Sequence, residues 1–325
     1  MNHEWIPKRG KRLESLKRFI RKPWTEKMLC IKFVCLQGQP RPGKMLSFKF
    51  VCLQVFGVVP VRLPLGGWWL AYDDICGNKI LDGRFENAEC CFVAGLLRPG
   101  MTVLDIGAHH GLYTLLAARR VGSNGRVVAF EPSPRERRKL ALNMRLNRCA
   151  NVKIEDCALG SSDSEADFFL VDGIETGCNS LRPPNVKEPS RVVRVPVKVL
   201  DSCLKLRDID HVDFIKMDVE GGEWEVLKGA IRLLDRRPRP IILCEVQEIR
   251  TEPWGYKAKE VIDFLRCRKF HWFRLSPDGA LEGVDDQQAE FDGNFIAVPE
   301  ERLEQIHRKG QWRQADLEIQ ALVQS

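Results

Sequence analysis

Residues 103–114, Val-Leu-Asp-Ile-Gly-Ala-His-His-Gly-Leu-Tyr-Thr, constrain the fold more than any other stretch of this 325-residue chain. An apolar run leads into Asp105, Gly107 and Gly111 bracket a turn, and an apolar pattern at helical spacing follows. The pattern specifies a strand, a glycine-containing loop and the first turn of a helix. Gly107 lets the backbone leave the strand at dihedrals that a side chain disfavours. Gly111 lets the helix begin close to the sheet and leaves room for a ligand. In an open α/β sheet, ligands bind in the crevice outside the carboxyl ends of the strands.

The loop excludes two common cofactor classes. It lacks the three glycines of G-x-G-x-x-G, which argues against a nicotinamide dehydrogenase, and no Lys-Ser/Thr pair follows to cradle phosphates. Only G-x-x-x-G is present, with Asp105 just ahead of it. An acid there repels a pyrophosphate and suits a ligand with a cationic end, such as S-adenosylmethionine, which carries an ammonium and a sulfonium. The next strand, Arg126-Val-Val-Ala-Phe-Glu131, ends in an acid followed by Pro132. An acid at that place accepts hydrogen bonds from ribose hydroxyls in dinucleotide folds. Taken singly, Glu131 reads equally well as a solvated strand-end charge. One helix and one strand beyond the Asp105 loop, it reads better as a ligand group.

Strands are expected at 102–106, 126–130, 151–156, 212–217 and 239–246, and helices at 111–121, 134–147, 222–234 and 256–268. Such alternation implies a parallel sheet with helices on both faces. Short β segments near 166–171 and 191–199 flank a loop, Asp172 to Ser190, rich in Gly, Asn and Pro. The last strands, near 271–275 and 293–298, are separated by the turn signal Pro277-Asp-Gly279 and are expected to form an antiparallel hairpin.

The most charged strand end is Lys216-Met-Asp218-Val-Glu220-Gly-Gly-Glu223. Alternation along an extended chain places Lys216, Asp218 and Glu220 on one side. Methyl transfer to oxygen is an in-line displacement in which an enzyme mainly supplies alignment. A hydroxyl acceptor also gains from a base, and Asp218 or Glu220 fits that role. The plainer reading is a helix start, with Glu223 complementing the dipole and Lys216 paired with Asp218 or Glu245. Glu245 ends the next strand and faces the same crevice. His109 and His110 titrate near neutrality, yet loop histidines more often bond or stack.

These residues resemble the FkbM family of S-adenosylmethionine-dependent methyltransferases. The family's motifs, D-x-G-A-x-x-G-x-x-[ST], x-F-E-P and I-K-x-D-x-E-G, appear in order as Asp105 to Thr114, Ala129 to Pro132 and Ile215 to Gly221. The resemblance covers roughly residues 80–299. It implies a doubly wound, mostly parallel seven-stranded α/β sheet of the Rossmann-like class I methyltransferase type. It implies S-adenosyl-L-methionine as cofactor, held by Asp105, Gly107, Ala108, His109 and Gly111, by Tyr113 and Thr114, and by Glu131 and Pro132. In that class Asp156 would meet the adenine amino group, with Cys157 flanking the ring. Asp218 and Glu220 would orient or deprotonate the acceptor, with Glu245 and Glu86 as further substrate-side groups. Gly83-Arg-Phe-Glu86 is similar to the family's G-x-F-E element, and a charge at a helix N-terminus is the alternative for Glu86. His109 stands where the family more often has Asn.

Charge divides the chain. Residues 1–50 hold 13 Lys/Arg against 3 Asp/Glu, so the overall +7 belongs to an arm and the remainder is mildly acidic. Within the arm, Leu13, Leu16, Phe19 and Ile20 are spaced for a cationic amphipathic helix, with a solvated arm as the alternative. Such an arm suits a membrane surface or nucleic acid. Lys27–Gln37 recurs as Lys44–Gln54 with nine of eleven positions identical, too few copies for a solenoid. The 12 cysteines form no C-x-x-C pair and no zinc spacing, so no metal is expected and free thiols are. No apolar run reaches bilayer length, and no signal-peptide pattern opens the chain, so a cytoplasmic protein is expected. The expected division is a basic extension at 1–60, a lead-in segment at 61–100, the methyltransferase domain at 101–300 and a helical tail at 301–325. The expected activity is O-methylation of a sugar, glycan or natural product. The alternatives are an RNA ribose methyltransferase using the basic arm and a binding protein without turnover.

Overall fold

The computed structural model describes residues 58–276, 279–285, 288 and 290–307. The basic arm, the near-repeat and the tail beyond residue 307 lie outside the described residues, and with them the basis of the RNA and membrane-surface readings.

The described chain starts with an antiparallel pair, β1 (Val58–Arg62) and β2 (Trp68–Tyr72), then α1 (Ile75–Leu81) and α2 (Asn87–Leu96). The alternation follows as β3 (Thr102–Ile106), α3 (Leu112–Val121), β4 (Arg126–Phe130), α4 (Pro134–Leu146) and β5 (Val152–Glu155). An excursion through β6 (Ala158–Leu159), β7 (Ser164–Val171) and β8 (Ser190–Lys198) makes a separate three-stranded sheet. The chain returns through α5 (Leu200–Lys205), β9 (Phe214–Met217), α6 (Glu223–Lys228), α7 (Ile231–Asp235) and β10 (Ile241–Gln247). It finishes with α8 (Glu248–Thr251), α9 (Ala258–Arg266), β11 (Phe270–Leu275), β12 (Leu281–Gly283), β13 (Asp292–Pro299) and α10 (Leu303–His307). Among the described residues no helix is long and apolar enough to cross a membrane.

The main sheet runs β12-β11-β13-β10-β9-β3-β4-β5, parallel from β10 to β5 and antiparallel at the β13, β11 and β12 end. The doubly wound α/β class is therefore present, with eight strands rather than seven. The extra one is the short edge strand β12. The segments near 271–275 and 293–298 pair antiparallel as expected, as β11 and β13; β12 adds to the outer edge of β11, and β13 lies between β10 and β11. Burial explains the choice: β13 is buried from Phe295 to Pro299, whereas β11 alternates, with His271 exposed between buried Phe270 and Trp272. A strand apolar on both faces belongs inside a sheet.

The expected helix at 222–234 is two helices. A Cβ on Gly229 would lie 2.2 Å from the Gly160 carbonyl oxygen, so the chain narrows there against the β6 segment and the helix breaks.

The strands are buried on both faces. Leu104, Ile106, Ile215 and Met217 pack in one cluster, while Val103, Val127 and Phe214 pack with α2 and α3 in another. The two-residue period therefore turns Asp105 and Lys216 to the α2–α3 face. The chain winds outward from β3 through β4 to β5 and, in the other direction, from β9 to β10. The strand order reverses between β3 and β9, the place where a ligand crevice forms.

Candidate active site

The loop after β3 is built by close approach. Gly107 has φ 80°, and a Cβ on it would lie 1.7 Å from the Asp218 carbonyl oxygen, so only glycine fits. The Gly107 and Ala108 N–H groups both donate to the Phe130 carbonyl, each at 3.0 Å, which ties the loop across β4. Gly111, at φ 82°, precedes α3, and a Cβ there would lie 2.1 Å from Leu140 Cδ1. Its small size serves the packing of α3 against α4 rather than space for a ligand.

Asp105 sits beneath this loop. It accepts a short hydrogen bond from Thr114 Oγ1, both side chains are buried, and burial pushes the Asp105 carboxyl up to about 6. Asp105 and Thr114 hold strand to helix and do not line the cleft. Tyr113, also on α3, donates to Glu86 Oε2 at 2.6 Å, and its ring lies 5.3 Å from Lys216 Nζ. Glu86 takes φ 39° just before α2, and burial raises its carboxyl. Glu86, Tyr113 and Lys216 thus form a row behind Asp218.

A cleft of about 580 Å³ opens above the carboxyl ends of β3, β4 and β9. Of the residues singled out from sequence, Gly107, His109, Glu131, Pro132, Cys157, Asp218 and Glu220 line it. Asp105, Ala108, Gly111, Tyr113, Thr114, Asp156, Glu86 and Glu245 do not, and Asp156 is exposed beside the cleft. A larger apolar cleft of about 920 Å³, walled by Leu63, Phe85 and Leu116, carries no carboxylate or imidazole, so the chemistry resides in the smaller one.

Glu131 is pinned in the cleft floor. Its Oε2 accepts from the His109 N–H at 2.7 Å and its Oε1 from the Ser133 N–H at 2.8 Å. Burial pushes its carboxyl up to about 8 against those two bonds. A carboxylate has about four lone-pair sites, so two further donors are accommodated.

The two histidines divide their duties. His109, at φ 49°, lines the cleft and places Nε2 3.1 Å from Thr176 Oγ1. His110 stacks on it at 3.7 Å and is buried against Lys139, Glu136 and Asp74, at 3.1, 3.7 and 3.6 Å. Burial holds both imidazoles below their ordinary pKa, so they are neutral.

At the β9 end, Lys216 Nζ pairs with Asp218 Oδ2 at 3.2 Å, as one sequence reading expects. Burial opposes the Lys216 charge, yet the carboxylates of Asp218, Glu86 and Glu245 outweigh it and raise its pKa. Glu220 adopts φ 55° and forms an ion pair with Arg250, Oε2 to Nε at 2.8 Å, without hydrogen-bond geometry; burial and the Asp218 charge push its carboxyl up to about 8. The backbone turn carries Asp218, Glu220 and Glu245 together, with carboxylate oxygens within 4.8 Å of one another. Lys216 and Arg250 supply positive charge at this group, and Lys139 does so beside His110 and Glu136. Glu223 accepts the Val219 and Gly221 N–H groups at 3.1 and 3.3 Å, the helix-start role that its position suggested.

Three partners are not legible in any motif. Thr176, in a short 3₁₀ turn of the 172–190 segment, and Trp254, just after α8, both wall the cleft. Arg250 holds Glu220. The segment is fastened by Glu188, whose carboxylate accepts the Ile174 and Glu175 N–H groups at 2.9 and 2.8 Å. Ser180 Oγ donates to the Glu220 carbonyl at 3.0 Å. A lone Thr, Trp or Arg in a loop carries no signal of such a position.

The family model for the methyltransferase FkbM domain matches residues 105–272. The chain is 28% identical over 254 residues to the AMB antimetabolite synthetase AmbE of Pseudomonas aeruginosa, covering 67% of this chain and 11% of that protein. It is 27% identical over 143 residues to Methyltransferase 1 of Beauveria bassiana, covering 39% of this chain and 57% of that one. The chain thus spans well under two thirds of the length of these relatives. Among solved structures it is similar to the methyltransferase FkbM of Methylobacillus flagellatus, at TM-score 0.39 and 18% identity, over 69% of this chain and 52% of that one. It is similar also to the O-methyltransferase of Bacillus cereus in complex with SAH, at TM-score 0.39 and 17% identity, over 65% and 80%. The family match spans more than half of the chain and begins at Asp105, the head of the loop that builds the cleft: this chain belongs to the FkbM methyltransferase family.

Proposed function

We propose that this chain transfers the methyl group of S-adenosylmethionine to a hydroxyl of a small-molecule acceptor such as a sugar, a glycan or a natural product. One observation carries the reading: Glu131 and Asp218, from the ends of different strands, wall one cleft at the point where the strand order reverses. The residues present fit the cofactor. Glu131 retains capacity for two ribose hydroxyls. Phe130, Cys157, Leu159 and Phe168 offer apolar walls to a flat ring, with Asp156 outside them. The family's methyl donor supplies an electrophilic methyl group on a sulfonium.

The protein's part is alignment and proton handling. Asp218 is 31% exposed and Glu220 12%, and Glu220 is occupied by Arg250. Asp218 is therefore the carboxylate free to accept a hydrogen bond, and then the proton, from an acceptor hydroxyl. Lys216 holds its other face, with Nζ 3.2 Å from Oδ2. Glu220 and Glu245, whose carboxyls burial and the Asp218 charge raise, stand beside Asp218 as hydrogen-bonding groups at the same strand ends. Among the described residues all nine cysteines are free thiols, which suits a reducing compartment such as the cytoplasm.

Calorimetric titration with S-adenosylmethionine tests the cofactor. Binding is expected, and Glu131→Ala should weaken it about ten- to a hundredfold, since each of two ribose hydrogen bonds contributes about 0.5–1.5 kcal/mol. No binding, or unchanged binding in the variant, overturns the assignment.

A further inference from the structure

The apolar cleft walled by Leu63, Phe85 and Leu116 shares no lining residue with the cleft that holds Glu131 and Asp218. Water-sized molecules can be centred within about 190 Å³ of it. Protein interiors close-pack and leave few voids larger than a water, so this space is more than packing slack. It lies where two parts of the core meet. Leu65, in the β1–β2 turn, packs with the α2–α3 cluster, while Leu63 packs with Trp69, Leu115 and Leu140. The Leu63 N–H donates to the Gly67 carbonyl at 3.1 Å and the Gly66 N–H to the Leu63 carbonyl at 3.0 Å, which fixes the turn as a rim. Ile80, Phe85, Leu112 and Leu116 make the walls. Cys90 and Cys91 complete them, and burial raises both thiols, so they are neutral. The Asn87 amide, also in the lining, is spent on the Gly83 carbonyl at 2.8 Å. Arg62 differs. It lines the cleft, it is exposed, and among the described residues its guanidinium makes no ion pair. The Arg119 guanidinium lies against the same turn, 3.0 Å from where a Cβ on Gly66 would sit, and it too makes no ion pair among the described residues.

We propose that this cleft binds an alkyl carboxylate of roughly six to eight carbons, with its chain among Phe85, Leu112 and Leu116 and its head at Arg62. Three observations carry it. The size fits, because an apolar cavity of about 150 Å³ already takes benzene, and about 190 Å³ takes a somewhat larger apolar group. The walls fit, because they are apolar or neutral and their one amide is spent, so a ligand with many polar groups would bury them unpaired. The charge fits, because no carboxylate lines the cleft while Arg62 stands at it and Arg119 beside its rim, and a guanidinium takes a carboxylate through its planar fork. The site is separate from the donor cleft and does not depend on the methyl-transfer reading.

The experiment titrates the full chain by calorimetry with butanoate, hexanoate, octanoate and decanoate, and with 1-hexanol as the uncharged counterpart of hexanoate. Affinity should rise about fourfold per methylene up to octanoate, the effect of burying a CH₂, and level off at decanoate as the chain outgrows the cleft. Hexanoate should bind about threefold tighter than 1-hexanol, the scale of an exposed ion pair, and Arg62→Gln should erase that preference with Tm unchanged. Leu63→Trp, which fills the cleft from its rim, should abolish octanoate binding; where that variant does not fold, Arg62→Gln still decides. Octanoate affinity should be the same with S-adenosylhomocysteine present. No saturable binding, as when another part of the chain or a second copy covers the cleft, overturns the proposal. So does an affinity that ignores chain length, a preference for the anion that survives Arg62→Gln, or octanoate binding that weakens when S-adenosylhomocysteine is added.

Discussion

Asp218 and Glu220 are two residues apart and face different tasks. The half-open Asp218 meets Lys216 on one side and the cleft on the other, while Glu220 is spent on Arg250. Asp218→Asn should therefore lower turnover about a hundredfold or more, the usual scale for losing a base, with S-adenosylhomocysteine affinity little changed. Equal turnover in the variant rules Asp218 out as proton acceptor. The backbone marks the same place. Glu86, His109 and Glu220 all hold positive φ without being glycine, at 39, 49 and 55°. Such conformations cost about 1–3 kcal/mol each and persist where surrounding structure imposes them. A strained residue type is not visible in a motif, so the sequence pointed to His109 by its departure from the family pattern and to Glu86 only by resemblance.

At the scale of elements, two glycine turns bring strand ends into contact. The β3 loop reaches the β9 turn through Gly107, and that turn reaches α8 through Gly221, where a Cβ would lie 1.9 Å from the Arg250 carbonyl oxygen. Gly107→Ala places a methyl group on the Asp218 backbone at a φ that side chains avoid. It should lower stability by about 1–3 kcal/mol or more and weaken S-adenosylhomocysteine binding with it, measured by thermal denaturation and calorimetry on the same sample. Element type was legible almost throughout, because a buried parallel strand and an amphipathic helix differ in period. The misreadings have tertiary causes. The break at Gly229 answers to Gly160, a residue far along the chain, and β12 exists only because β11 offers it an edge.

Across the whole molecule, the site sets how stability depends on pH. Burial raises the carboxyls of Glu131 and Glu220 to about 8, Glu223 to about 7 and Asp105 to about 6. The folded state then binds more protons than the unfolded chain, so this stabilisation is full below the ordinary carboxylate range and is lost as pH rises through these values. His109 and His110, held below their ordinary pKa, act oppositely and lose stability only as pH falls below about 6.5. Between about pH 6.5 and 9 the carboxylates, joined near the top of the range by buried thiols such as Cys244 that shift the same way, make Tm fall across that window. Glu131→Gln should flatten the fall; a Tm that rises with pH there contradicts the assignment.

The parallel α/β sheet, the glycine loop, the family and a set of strand-end carboxylates were legible in the chain alone. Each is written within one element, as a period, a turn or a strand-end charge, and needs no distant partner to be read. The tertiary structure decided which of those groups face the cleft. The two-residue period of β3 turns Asp105 inward to Thr114, while β4 and β9, parallel on either side of β3, leave Glu131 and Asp218 facing one space. It also supplied Thr176, Arg250 and Trp254, which meet His109 and Glu220 only because the 172–190 segment and the α8 region fold over the same strand ends. Local chemistry names a group; only packing gives it a neighbour.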